Sequence, residues 1–254
     1  MMKMWVKAYL ERIGYQGPIN PNQKNLASLH QAHMYSVPFE NLDIQRGIAL
    51  SLDLNYIKQK IIDNNRGGFC YELNYLFAAL LTSLGYSVTL LSGRVFDDKG
   101  VLGSEFDHMT LLVETKDSWL VDVGFGGSSF IRPLSMQTDV IQKDQAGFYK
   151  LKKVEPANYQ LLYGRETDDL KPLYNFSTSP QVIESFQAQC SWKQVDDESH
   201  FVKDKICTIA TPEGRKSLLN DSFTTRVYDQ ISTRTIVNAE MEMELLAKHF
   251  NINF

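Results

Sequence analysis

At 254 residues the chain is long enough to bury a hydrophobic core without covalent staples, and its three cysteines, an odd set with no Cys-x-x-Cys pair, argue against a disulfide framework and against structural zinc. A formal charge of −4 without a long basic cluster removes the electrostatic footprint that non-specific nucleic-acid binding needs. Lys3, Lys7, Glu11 and Arg12 interrupt the first twelve residues, so no signal-peptide core is present, and no later run is apolar enough for a membrane span. The expectation is a cytoplasmic protein with neither a nucleic-acid nor a membrane partner.

Residues 1–85 read as helical. A first helix covers 4–13 and stops at Gly14; a second starts at Asn20-Pro21, a cap followed by proline in the first helical position, and runs to about Tyr35. Val37-Pro38 breaks it. A third begins near Ser51 or Asp53 with Leu54, Ile57 and Ile61 on one face. In the fourth, Leu73, Leu76, Phe77, Leu80, Leu81 and Leu84 recur at three- and four-residue steps before Gly85. From Tyr86 the period falls to two. Segments 86–95, 108–113, 119–123, 147–154, 159–163 and 173–176 read as strands, which suggests an antiparallel barrel or rolled sheet over 86–178. After Ser179-Pro180, a short helix (181–189), strands near 201–210 and 225–237, and a last helix capped by Asn238 form an α/β lid over 179–254. The predicted class is α+β: helical bundle, central antiparallel barrel, lid.

The stretch Arg66-Gly67-Gly68-Phe69-Cys70-Tyr71-Glu72-Leu73-Asn74 puts a cysteine where a glycine pair gives way to a helix. Unpaired amides and the positive end of the macrodipole favour a negative sulfur there, and such surroundings lower a thiol from about 8.5 to roughly 3.5–7.5. The bland alternative is a small apolar residue plugging a helix end.

A thiol nucleophile needs a base, and the base a third group to hold its tautomer. His108 opens one predicted strand and Asp122 lies in Trp-Leu-Val-Asp-Val of the next. A hairpin centred on Thr115 pairs Met109 with Val121, Leu111 with Trp119 and His108 with Asp122, close enough for a carboxylate–imidazole bond; a one-residue slip would put Asp122 on the other face. Taken singly, His108 also reads as a satisfied polar residue at a strand end, whereas Asp122 inside an apolar strand demands a partner. His30 and His33 fall on a helix in core or surface roles, His200 and His249 on the lid surface, and Cys190 and Cys207 as inert buried thiols. Glu40 with Arg66 reads either as a brace on the cysteine loop or as a surface ion pair of about 0–1 kcal/mol.

Four segments then resemble one family: the stretch 33–44 with its Val-Pro-Phe-Glu-Asn-Leu centre, Arg66-Gly-Gly-Phe-Cys-Tyr-Glu-Leu-Asn, His108, and Val121-Asp-Val-Gly-Phe-Gly. Together they are similar to the arylamine N-acetyltransferases, in family order. The resemblance implies that Cys70 is the acetylated nucleophile, His108 its base and Asp122 the orienting carboxylate. It further implies that Phe39, Val95 and Phe125 line the pocket and that Glu40 and Arg66 support it. The implied donor is acetyl-CoA, the implied acceptor a small aromatic amine or hydrazine, or the oxygen of an N-hydroxyarylamine, and no metal is required. The same Cys-His-Asp order is also similar to transglutaminase-like and papain-like thiol enzymes. A cysteine amidase with a peptide or glutamine donor, and a non-catalytic binding module, are therefore the competing readings.

Overall fold

Residues 2–254 are described by a computed structural model. α1 (Met4–Arg12) buries Val6, Tyr9 and Leu10, and α2 (Gln23–Ser36) buries Leu26, Leu29, His30 and His33. The cap of α2 is Asn22, whose side chain accepts the Asn25 N–H. Asn20, the expected cap, accepts the Asn25 side-chain amide instead. Two residues on, Asn22 offers the same carboxamide acceptor without drawing Pro21 into the helix. β1 (Phe39–Glu40) and α3 (Leu42–Gln45) follow. α4 (Leu54–Lys58), capped by Asp53, widens into a π-turn over Gln59–Asp63 that buries Lys60, Ile61 and Ile62. α5 (Cys70–Ser83) is enclosed nearly all round, from Cys70 and Leu73 to Leu80 and Leu81, as a helix apolar on most faces must be.

The period-two region folds into one antiparallel sheet of β2 (Ser87–Val95), β3 (His108–Glu114), β4 (Ser118–Val121), β5 (Leu134–Ser135), β6 (Ile141–Asp144), β7 (Gly147–Glu155), β8 (Asn158–Gly164) and β9 (Lys171–Ser177). Their spatial order is β5-β4-β3-β2-β9-β8-β7-β6. Its two edges approach each other where the Gln142 side chain bonds the backbone N–H and C=O of Ser135, at 2.7 and 2.9 Å, so the sheet is a nearly closed barrel. Leu91, Leu120, Phe130, Tyr149, Leu161 and Tyr174 belong to its core.

The β3–β4 hairpin differs from the expected register by two residues: Leu111 faces Val121 and Val113 faces Trp119. The turn fixes this, because the Thr115 N–H bonds the Asp117 carbonyl and makes Glu114 and Ser118 the last ladder pair. A two-residue shift preserves the faces, since side chains alternate with period two.

After a 3₁₀ turn (Ile183–Phe186) come α6 (Gln187–Val195) and α7 (His200–Lys203), then β10 (Ile206–Thr211), β11 (Gly214–Leu219), β12 (Ser222–Val227), β13 (Gln230–Thr235) and α8 (Ala239–Phe250). The helix expected at 181–189 therefore lies later. The strand expected from 201 starts only at Ile206, and the one expected over 225–237 is the β12–β13 hairpin; β11, rich in Arg, Lys and Ser, carries no apolar alternation to announce it. Asn238 caps α8 as expected, accepting the Met241 N–H.

This second sheet, β1-β10-β11-β12-β13, takes its first strand from the helical region. Glu40 pairs with Cys207 on one side, and its N–H bonds Gly68 O at 2.9 Å on the other. The approach is so close that a Cβ on Gly67 would lie 2.2 Å from Pro38 O, which only glycine permits. Among the described residues no helix is long and apolar enough to cross a membrane.

Candidate active site

Cys70 is the first residue of α5 and only 4% exposed. The preceding Phe69 cannot accept a first-turn amide; its own N–H donates to Glu72 Oε2 at 2.8 Å, holding the entry to the helix from the other direction. Burial pushes the Cys70 thiol up, opposed mainly by the Lys193 ammonium, while Cys190, Asp107 and Asp122 add to the rise. Burial therefore works against the lowering expected from the helix start. A thiolate here needs a neighbour that becomes positive as the sulfur becomes negative.

His108 and Asp122 are brought together as expected, by a different route. With the ladder shifted, Asp122 lies diagonal to His108 just beyond the end of β4, within reach of a long side chain. His108 Nε2 is 2.7 Å from Asp122 Oδ2. That leaves Nδ1 as the nitrogen free to act on the thiol. Among the described residues no hydrogen bond joins Cys70 to His108, so the histidine–carboxylate half of the arrangement is the closed one.

The fully buried Asp122 carboxylate accepts four hydrogen bonds. Oδ2 takes His108 and the Tyr174 hydroxyl (3.0 Å); Oδ1 takes the Asn74 amide (3.0 Å) and the Gly124 N–H (3.0 Å). Burial alone would push its pKa up, but His108, Asn74 and Gly124 outweigh it and hold the carboxyl below the usual range. Asn74 is one turn beyond Cys70. Its Nδ2 also donates to Met109 O (2.6 Å), and its Oδ1 accepts the Val123 N–H (3.0 Å), strapping the cysteine helix to both strands that carry the other two groups. A Cβ on Gly124 would meet Cys70 O at 2.8 Å. The glycine of Val-Asp-Val-Gly is thus what lets this loop lie against the cysteine.

Around this centre Phe125 meets the His108 ring edge-on at 5.2 Å, and Tyr174 lies 5.2 Å from the same ring. Val95 faces Tyr174 across the β2–β9 ladder, two residues from the Gly93 that pairs with His108. Phe39 packs on Phe69 at 5.8 Å and on Phe201 of α7 at 6.3 Å. Glu40 and Arg66 form a buried pair, not a surface one: Arg66 Nε is 3.0 Å from Glu40 Oε1, and Arg66 continues to Asp43, then Lys60 and Glu72. Among the described residues no group of three or more His, Cys, Asp or Glu is arranged to hold a metal ion.

The sequence assigns no role to Asn74, Tyr174 or Phe201, and of the core and surface roles open to His30 the structure shows the core one. Asn74 had a signal, an amide one turn from Cys70 in an otherwise apolar helix. His30 is completely buried, with Nδ1 2.9 Å from Ile131 O, so it donates there and its Nε2 accepts the backbone N–H of Asp122 (3.3 Å). His200 is exposed and His249 half-buried against Phe223, while Cys190 and Cys207 are buried.

The histidine core carries a pH dependence. Burial lowers His30, against the opposing influence of Ile131 O and Asp122; burial, with His30 and Arg12, holds His33 well below the usual range. Below about pH 6.5 the unfolded chain takes up protons at both positions more readily than the folded chain does. Stability is therefore expected to be greatest above about pH 6.5 and to fall as the pH drops below it, by no more than about 1.4 kcal/mol per imidazole per unit. Urea midpoints at pH 7.5 and 5.5 check this; equal midpoints would mean that both imidazoles ionise in the folded protein as they do in the unfolded chain.

The geometry has known counterparts. A family model described as N-acetyltransferase matches residues 23–254. A chicken pineal-gland arylamine N-acetyltransferase is 32% identical, covering 98% of this chain and 94% of its own. An arylamine N-acetyltransferase / N-hydroxyarylamine O-acetyltransferase from Salmonella typhimurium is 31% identical over 89% of this chain and 80% of its own. The solved arylamine N-acetyltransferase structure from that organism superposes with a TM-score of 0.93 at 29% identity, covering 99% and 92% of the two chains. The Mycobacterium marinum enzyme, solved in complex with CoA, gives 0.90 at 28%, covering 97% and 92%. A cysteine at a helix start, a buried histidine–aspartate pair and near-complete agreement in fold lead to one assignment: this chain belongs to the arylamine N-acetyltransferase family.

Proposed function

We propose that Cys70 carries the acetyl group, that His108 moves its proton and that Asp122 orients His108, in a double displacement from acetyl-CoA to an arylamine or hydrazine nitrogen or an N-hydroxyarylamine oxygen. The observation that carries the reading is the His108–Asp122 pair strapped by Asn74 to the helix that Cys70 begins. Proton transfer from Cys70 to Nδ1 makes an imidazolium beside a buried carboxylate, and the resulting ion pair offsets the desolvation that disfavours a lone thiolate. The thiolate adds to the thioester carbonyl, and the first-turn amides of α5, which have no intrahelical acceptor, are the donors for the oxyanion. CoA leaves as a thiol with the proton from His108. The amine then attacks acetyl-Cys70, His108 takes the amine proton, and the thiol is regenerated.

Phe39, Val95 and Phe125 are the proposed lining for a flat aromatic acceptor, and Glu40 with Arg66 the brace on the loop. The functional division follows: 1–85 supplies the nucleophile, 86–178 the base and its carboxylate, and 179–254 covers them. A reducing cytoplasmic setting is supported by three cysteines, all unpaired. The family match and the CoA-bound neighbour favour acetyl-CoA over the amide donor of the competing amidase reading.

The test is the intact mass of the protein after brief exposure to acetyl-CoA, followed by an arylamine chase. One acetyl group on Cys70, discharged by the amine and absent from Cys70→Ala, is expected. A thiol that alkylates but never acetylates would overturn the donor assignment.

A further inference from the structure

Lys193 is a lysine on α6 with only 4% of its surface exposed, and it is not part of the cluster of charges around Arg66. Its Nζ is 2.6 Å from Asp107 Oδ1 and stands 4.9 Å from the centre of the Phe201 ring and 5.9 Å from that of Phe69. Two of these neighbours are informative by their place in the chain. Phe69 immediately precedes Cys70, and Asp107 immediately precedes His108. The ammonium therefore sits between the two segments that deliver the nucleophile and the base. Asp107 is anchored independently, its Oδ2 accepting the Val95 N–H at 3.3 Å, and the Lys193 carbonyl accepts the buried Ser199 hydroxyl at 2.8 Å. An ion pair with both partners so held is a fixed feature of the site.

We infer that Lys193, held in place by Asp107, is a positioning residue whose positive charge acts through Cys70, setting how readily the sulfur ionises and tying that readiness to the docking of α6. Burying a lysine costs free energy that a plain structural contact between α6 and β3 does not require, since two apolar side chains would join them as well. What the charge adds is a field at the thiol that follows Phe69, the group that must become negative. The charged and titratable groups whose fields reach the Cys70 thiol are Lys193 and Cys190 from α6, Asp107 just before β3 and Asp122 after β4; Tyr71 follows it on its own helix, and His108 is paired with Asp122. Lys193 is the one among those acting on the thiol that favours its ionised form, and its influence exceeds that of Asp107.

The inference rests on Cys70 as the nucleophile, and its test separates the two. The rate of iodoacetamide alkylation at Cys70, located by peptide mass, is measured against pH without acetyl-CoA for Lys193→Met, Lys193→Arg and Asp107→Asn. Lys193→Met is expected to move the profile up by about one pH unit, roughly tenfold slower at a fixed pH below the midpoint. Asp107→Asn keeps an oxygen for the ammonium but removes the opposing negative charge, so its profile is expected to move down and its rate to rise a few-fold. Lys193→Arg should stay close to the parent. A purely structural ion pair predicts a different pattern, because Lys193→Met and Asp107→Asn damage the same contact and would shift reactivity in the same direction. Shifts of the same sign, or no shift in either, overturn the inference. Should Lys193→Met fail to fold, Lys193→Gln, which keeps a hydrogen-bond donor for Asp107 but no charge, takes its place: an upward shift supports the inference and an unchanged profile overturns it. Opposed shifts in a protein that cannot be acetylated would leave the electrostatic role intact and remove the proposed donor.

Discussion

Asp122→Asn is expected to leave the fold in place and to lower acetyl transfer by about three to four orders of magnitude. The reason lies in the four hydrogen bonds that the carboxylate accepts. On one side stand two groups that can only donate, the Asn74 amide and the Gly124 N–H; on the other stand His108 and the Tyr174 hydroxyl, which can do either. An asparagine must therefore turn its oxygen towards Asn74 and Gly124 and its NH₂ towards His108. The imidazole then accepts at Nε2 and carries its proton on Nδ1. That is the nitrogen left for Cys70, and a protonated neutral Nδ1 cannot take the thiol proton. The wrong tautomer is thus built in by the pattern of donors, with no change in shape. Single-turnover acetylation by mass, beside a urea midpoint to confirm folding, checks the expectation. A rate within tenfold of the parent would remove Asp122 from the reaction.

The parts of this site that were legible in the sequence are those set by local physics. Cys70 follows a glycine pair and begins an apolar helix, and both features can be read within a dozen residues. The His108–Asp122 pairing was reached through a hairpin whose register is two residues off, and it survives because strand faces repeat every two residues. An error of one residue would have separated the pair. What could not be read is whatever depends on elements far apart in the chain. Tyr174 reaches Asp122 across 52 positions, and His30 reaches its backbone N–H across 92. Lys193 lies 123 positions beyond the cysteine that it influences, on a helix that runs six residues past the expected 181–189. β1 and β5 have two residues each, too few for any period to show. β11 is polar over most of its length and paired on both sides, so its strand character is conferred by β10 and β12.

Arg66→Ala is expected to cost about 3–5 kcal/mol of stability, among the largest effects available to one substitution in this chain. Arg66 bridges Glu40 and Asp43, Asp43 also binds Lys60 at 2.8 Å, and Lys60 binds Glu72 at 2.9 Å. All five side chains are buried, three carboxylates against two cations. Burial would lower the Lys60 ammonium, yet Glu72, Glu40 and Asp43 together raise it, so it stays charged and is committed to its present partners. Without Arg66 the single remaining cation cannot neutralise three buried carboxylates, and Glu40, fully enclosed, has no route to water. Arg66→Lys keeps the charge but not the fork that spans Glu40 and Asp43, and should recover only part of the loss. The damage is expected to appear in activity before it appears as unfolding. Glu40 accepts the Leu42 N–H and is hydrogen-bonded through its backbone to Gly68, and Glu72 holds the Phe69 N–H next to the nucleophile. A protein of this size loses about 2–4 °C of melting temperature per kcal/mol, so thermal melts should fall by roughly 6–20 °C. A fall of less than 3 °C would mean that Glu40 and Asp43 find water or new donors when the arginine is gone, and that the network does not brace the cysteine loop.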